Sequence, residues 1–304
     1  MNRTVQYALI LFGAITTINF IVLFLFNLIG RTYGFSPIGR FAMIFAGSAV
    51  AGAATTLVVI STAPVLRDFL ATFRRLLRVD SLTHPLLVRL SQEAPSTYHH
   101  ALMVANFAHR AAKAIGADPL LARIGAYYHD IGKLGDPTVY TENQRGEAAT
   151  KNHDDVSPKQ SAKLIINHVK AGLKLAKEHN LPEEIADFIP QHHGTTTARF
   201  FYQKAVDQGL KVKKTDFRYP GPKPLSKEAA ILMLADGVES KIRSLPALND
   251  HTITEAVDSI FEERLADEQL VLSGVTESDL KKIRASFIDS AKIFSHRRIR
   301  YPRG

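Results

Sequence analysis

Cysteine is absent from the 304 residues, which excludes disulfides, iron–sulfur clusters and zinc ribbons. Any metal must therefore be held by nitrogen and oxygen, which suits Mn, Fe, Co or Zn and disfavours soft-metal roles. Charge is missing from two long stretches, between Arg3 and Arg31 and again between Arg40 and Arg67. Beyond residue 90 no stretch reads as a sheet. Internal repeats and low-complexity tracts are lacking too. Acidic residues are in the minority, 29 against 38 lysines and arginines, for a formal net charge of +9. That balance suits an anionic partner: a phosphate-bearing substrate, acidic lipid or nucleic acid.

Each charge-free stretch is long enough to cross a hydrocarbon core, which needs about 20 apolar residues. The first, ALILFGAITTINFIVLFLFNLIG, is too long for the apolar part of a signal peptide, and a second span follows at once. The second, FAMIFAGSAVAGAATTLVVI, pairs Gly47 with Ala51 and Ser48 with Gly52 at small-xxx-small spacing. That spacing serves equally the pairing of the two spans and self-association into a homodimer. We expect two transmembrane helices in residues 1–64. The loop between them carries only Arg31 and Arg40, whereas Arg67, Arg74, Arg75 and Arg78 follow the second span. This bias puts both ends on the cytoplasmic side of the cell membrane. Residues 65–89 alternate those arginines with Leu66, Phe69, Leu70, Phe73 and Leu77, the pattern of a basic amphipathic helix against acidic lipid, followed by a short linker.

Residues 90–304 read as an all-helical cytoplasmic domain. Ser96 caps a helix that puts His100, Val104, Phe107, Ala111 and Ile115 on one face, with His99 turned towards water. Asp118 and Pro119 open a second helix that runs through Tyr128 to His129 and Asp130 and breaks at Gly132. Adjacent helical residues diverge by about 100°, so His129 and Asp130 can share a centre only at a helix end or between two ions. Ser157, Pro158 and Gln160 start a third helix, which carries His168 on the face of Ser161, Leu164 and Gly172. His192 and His193 end the pattern LPEEIADFIPQHHG, where Pro190 and Gly194 disturb the helix. Asp236 interrupts the apolar stripe of Ala229, Leu232 and Met233, where a carboxylate is costly unless it is paired or metal-bound. Taken together, His100, His129, Asp130, His168, His192, His193 and Asp236 are too many ligands for one tetrahedral zinc. They suit two six-coordinate ions bridged by Asp130, at the separation of about 3.5–4 Å used in two-metal hydrolysis. Lys133 would add positive charge beside a phosphate. Arg218 and Tyr219 in FRYPGP either contact phosphate and stack on a base or brace their loop. His153 is a weak candidate for protonating a leaving group.

HDIGK with a preceding histidine and a later H…HH…D series resembles the HD-domain metal-dependent phosphohydrolases. The segments HPLLVRLSQEAPSTYHHALMVANFAHRAA, LLARIGAYYHDIGKL, VYTENQ, DFIPQHHGTTTARFFY, DFRYPGPKPLSKEAAILMLAD and RIRYP are similar to those of the seven-transmembrane HD receptors of PgpH type. The resemblance runs from about His84 to Pro302. It implies that His100, His129, Asp130 and Asp236 hold one ion and that His168, His192 and His193 hold the other, with Asp130 between them and Mn or Fe as the metals. It also implies a cyclic dinucleotide substrate, cyclic di-AMP opened to linear pApA, and no stable nucleic-acid partner. Receptors of this type have an extracellular domain and seven spans; the two spans here correspond to the last two. Gly135 and Asp136 follow HDIGK where basic residues are frequent in the family. Three other readings compete: an HD hydrolase acting on another nucleotide or RNA, a di-iron oxygenase, and a membrane-anchored nucleotide sensor that does not cleave.

Overall fold

A computed structural model of the chain describes residues 14, 17–22, 24–26, 28–29, 34, 36–144, 153 and 156–296. They are helical as expected, and the one extended pairing among them is an isolated bridge between Thr197 and Arg218. Contacts divide the chain into two compact units, Met1–Leu77 and Arg78–Gly304.

In the first unit, helix α1 (Pro37–Val79) includes Phe45–Val79, one helix long and apolar enough to cross a membrane. Much of the first expected span lies outside the described residues; within it Thr17–Phe26 is a shorter apolar helix. A Cβ at Gly47 would sit 2.8 Å from the Phe26 ring, and Asn19 Nδ2 donates to Thr55 Oγ1 at 2.8 Å. Gly47 thus lets the two apolar helices approach, whereas a Cβ added at Gly52 would meet no neighbouring element within 4 Å. No break in α1 marks residue 65, because the helix runs on through the arginine-rich segment to Val79.

The second unit is a helical bundle. Helix α2 (Pro85–Glu93) is capped by the His84 ring and buries Leu86, Leu87 and Leu90. Helix α3 (Pro95–Ile115) starts with Ala94 in the cap position, so Ser96 lies inside the helix rather than capping it. Of the expected face, His100, Val104, Phe107 and Ala111 are buried and Ile115 is half-buried. Asp118 accepts from the amides of Leu120 and Leu121 and caps α4 (Pro119–Tyr128), which gives way to a 3₁₀ turn over Ile131–Gly135. Helix α5 (Pro158–Glu178) starts with the expected capping box of Ser157 and Gln160. It buries Ser161, His168 and Gly172; Leu164, expected on that face, is exposed. Two one-turn helices, α6 (Glu183–Ala186) and α7 (Phe188–Gln191), lead into the histidine pair. Helix α8 (Arg199–Asp207) precedes α9 (Lys227–Arg243), which is buried along most of its length. Helices α10 (Asp250–Ala266) and α11 (Glu277–His296) cover α9 and α3. Phe107, Phe261 and Phe287 meet edge to face at 5.6 and 6.0 Å, each pair adding about 0.5–1.5 kcal/mol beyond its buried area.

Candidate metal centre

The bundle brings to one place side chains drawn from five segments. His129 follows the last residue of α4 and Asp130 precedes the 3₁₀ turn, so the pair lies at a helix end, where the divergence of helical neighbours no longer applies. Gly132 makes the next step possible. A Cβ there would collide with the backbone carbonyl of His168 and lie 2.5 Å from the amide nitrogen of Gly172. Only glycine lets the turn press against the backbone of α5 and carry Asp130 up to His168. His100 arrives from α3, His192 and His193 from the end of α7, and Asp236 from α9.

Asp130 is the hub. Its Oδ1 lies 3.5 Å from His168 Nε2 and 3.8 Å from His192 Nε2. Its Oδ2 lies 3.3 Å from His129 Nε2, 3.8 Å from His100 Nε2 and 2.8 Å from Lys133 Nζ. Asp236 Oδ1 is 3.0 Å from His100 Nε2, and its Oδ2 is 3.9 Å from His193 Nδ1. Two tight groups result: His100, His129 and Asp130, and His168, His192 and His193. His99 is exposed, whereas His100 is buried.

The hydrogen bonds fix which ring nitrogens carry protons. His129, His168 and His192 each place Nδ1 on the carbonyl three residues back, those of Ala126, Ile165 and Ile189, at 2.7, 2.8 and 2.7 Å. A carbonyl only accepts, so Nδ1 donates and each Nε2 offers a lone pair to the centre. The Nε2 atoms of His168 and His192 then face each other at 3.3 Å. His129 Nε2 and Asp130 Oδ1 are buried with no hydrogen-bond partner. Buried acceptors converging on acceptors are costly unless a cation lies among them. The donor set, all imidazole and carboxylate, fits divalent metal ions.

Electrostatics point the same way. Burial, aided by His129, pushes His192 down to about 3. Burial likewise lowers His168 and takes His193 well below the usual range. These rings are neutral at physiological pH, as a ligand must be. His100 is the exception: burial opposes its charge, but Asp236 and Glu239 outweigh burial and raise it to about 9. Asp130 and Asp236 stay ionised against burial, held well below the usual carboxylate range mainly by Lys133 and by His100 respectively.

Glu239 was not anticipated from sequence. It accepts a short hydrogen bond from His100 Nδ1 and so aims Nε2 at the centre. The signal was present: Glu239 stands three residues after Asp236, on the same helical face. Glu142, from the VYTENQ stretch, accepts from Lys133 at 2.7 Å, which leaves that half-buried lysine held between two carboxylates. The Thr141–Asn143 turn is tied to α3 by Asn143 Nδ2 donating to Thr97 Oγ1 at 2.8 Å.

A cavity of about 210 Å³ opens over the cluster, and Lys133 and Tyr219 are in its lining. The Tyr219 ring lies 4.1 Å from that of His193, centroid to centroid, and burial keeps its hydroxyl protonated. Arg218 is not among the lining residues: it donates to the Thr195 carbonyl at 3.0 Å and to Asp267 at 2.7 Å. His153 sits away from the cluster, with Nε2 on the Val139 carbonyl at 2.9 Å and its ring against Phe201.

Residues 97–241 match the family described as HD domain. The chain is 40% identical over 256 residues to the cyclic-di-AMP phosphodiesterase PgpH of Bacillus subtilis (strain 168), covering 83% of this chain and 36% of that protein. To the cyclic-di-AMP phosphodiesterase PgpH of Listeria monocytogenes serotype 1/2a (strain 10403S) it is 42% identical over 233 residues, 77% of this chain and 32% of the other. The crystal structure of the L. monocytogenes phosphodiesterase PgpH HD domain in complex with cyclic-di-AMP is similar at TM-score 0.67 and 42% identity, covering 72% of this chain and 100% of that one. The chain spans about a third of the length of the curated relatives it matches.

Proposed function

The chain belongs to the HD-domain family, and from that premise we propose that it is a membrane-anchored, metal-dependent phosphodiesterase hydrolysing cyclic di-AMP to linear pApA. The observation that carries the reading is Asp130, whose two oxygens face different histidine sets. His100, His129, Asp130 and Asp236 would hold one divalent ion, and His168, His192, His193 and Asp130 a second; the nitrogen and oxygen donors suit Mn, Fe, Co or Zn, of which the family resemblance implies Mn or Fe. When bound, such ions neutralise phosphate charge and lower the pKa of water. The protein's own contributions are separate from that chemistry. Lys133 steadies Asp130 and places positive charge at the cavity wall. Tyr219, kept as a neutral hydroxyl, can donate a hydrogen bond to a phosphate oxygen. Overall, water adds to phosphorus and one phosphorus–oxygen bond to a ribose breaks, so the ring opens to a linear dinucleotide.

The domain assignment follows the same reading: a two-helix membrane region in 1–64, a basic juxtamembrane segment in 65–89 and the HD phosphohydrolase domain in 90–304. Phe45–Val79 is the anchor, with Arg67, Arg74, Arg75 and Arg78 against the cytoplasmic leaflet and the catalytic unit on that side. The membrane and juxtamembrane helices are also the proposed route to a homodimer. The test is metal analysis and product identification on the full chain in detergent, offered cyclic di-AMP, cyclic di-GMP and short RNA. Formation of pApA with bound Mn or Fe is expected. Tight binding without product would make the chain a sensor, and oxygen consumption in place of hydrolysis would make it an oxygenase.

A further inference from the structure

The cavity over the metal cluster, about 210 Å³, falls below the range of about 300–1,000 Å³ for pockets that enclose a small molecule. Half of a cyclic dinucleotide must therefore lie elsewhere. A second, wider cavity of about 530 Å³ adjoins it, and His100, Thr141, Glu142, Ser240 and Arg243 line both. Asp236, Ser240 and Arg243 follow one another at spacings of four and three on one face of α9, so this face leads from the cluster into the wider space.

A cyclic dinucleotide carries two phosphates, and the cluster can engage only one of them for cleavage. The other needs a cation. Apart from histidines, the cationic side chains lining the two cavities are Lys133 and Arg243. Lys133 is half-buried and already holds Asp130 and Glu142 at 2.8 and 2.7 Å. Arg243 is 42% exposed, and its contact with Glu239 is loose, at 3.6 Å. Glu239 is also engaged by His100, so the guanidinium keeps donors for a ligand. Resting on the reading above, we infer that Arg243 holds the phosphate that is not being cut, with the nucleoside beyond it seated in the wider cavity. Arg243 is thus a specificity residue that distinguishes a cyclic dinucleotide from a simple phosphodiester.

Kinetics of Arg243→Ala and Arg243→Lys in the full chain test this, with cyclic di-AMP and bis(p-nitrophenyl) phosphate as substrates and metal content measured alongside. For Arg243→Ala we expect KM for cyclic di-AMP to rise about 10- to 100-fold, the range for a lost charge-assisted contact. Metal content and turnover of the aryl diester, which has no second phosphate, should stay at native levels, and Arg243→Lys should recover part of the loss. Equal losses on both substrates, or a fall in metal content, would overturn the inference by assigning Arg243 to support of Glu239 and the cluster. Native KM for cyclic di-AMP in Arg243→Ala would overturn it alone. A native chain that leaves cyclic di-AMP intact would overturn the function proposed above and this inference with it.

Discussion

Asp130 and Glu239 act on the same cluster in different ways. Asp130 presents an oxygen to each histidine set, whereas Glu239 touches neither set except through the back of the His100 ring. Removing Asp130 should therefore dismantle both metal positions at once. We expect Asp130→Ala to lose both ions and hydrolysis together, while His99→Ala keeps the native metal content; elemental analysis of the purified variants checks this. One ion per chain surviving in Asp130→Ala would mean that the carboxylate serves a single set. Glu239→Ala should weaken metal binding about 10- to 100-fold, as loss of a carboxylate orienting a metal-ligating histidine does. Glu239→Gln, which keeps an acceptor for Nδ1, should lose less; competitive titration against a metal chelator reads the difference. In the sequence His100 and Asp236 stand out as polar groups on otherwise apolar faces and His129 with Asp130 as a pair at a helix end, whereas His168, His192 and His193 gain weight only alongside them. Glu239 does not stand out, because a glutamate near a helix end reads as ordinary surface until the His100 ring is seen against it.

At the level of elements, what brings the cluster together is a contact between two pieces of backbone. The 3₁₀ turn after α4 lies directly on α5, with Gly132 against His168 and Gly172. In sequence Gly132 reads as the place where a helix stops, which is half of its role. α4 in fact ends at Tyr128, and the glycine's second role, close approach to another helix, leaves no mark in helical periodicity. Gly132→Ala should force the turn and α5 apart at a cost of about 2 kcal/mol or more, because backbone cannot move aside as a flexible side chain can. Gly135→Ala is the matched control. It has only Ala171 Cβ nearby, at 4.0 Å, and should leave stability within about 0.5 kcal/mol of the native chain. Thermal unfolding of the two variants compares them directly. Similar melting temperatures would show that the turn tolerates displacement and that the close approach is not a requirement.

Across the whole molecule, the helical class followed from caps and apolar spacing, whereas α2, α8 and α10 were not read from the sequence. Other parts that did not follow depend on packing between distant segments, such as the exposure of Leu164 and the engagement of Arg218 with Asp267. The last helix shows how a local signal acquires a long-range partner. Thr276 and Asp279 form a reciprocal cap of α11, with Asp279 accepting from the Thr276 amide and Thr276 Oγ1 from the Asp279 amide, both at 3.1 Å. Asp279 also accepts from Lys227 Nζ at 2.8 Å, which ties α11 to the start of α9, the helix that carries Asp236, Glu239 and Arg243. The Lys227 hydrogen bond, followed by the Thr276 amide, lowers the Asp279 carboxyl to about 2. A pKa depressed by folding contributes stability that is complete above the ordinary carboxylate value, near 4, and is lost as pH falls through about 2. Asp279→Asn should therefore cost about 1 kcal/mol at pH 7, the scale of a helix cap plus a partly exposed ion pair. The gap in melting temperature between this variant and the native chain should narrow as pH falls from 7 to 3. A gap that stays constant over that range would show that the Asp279 charge adds nothing to holding α11 on α9, leaving the cap geometry alone to do so.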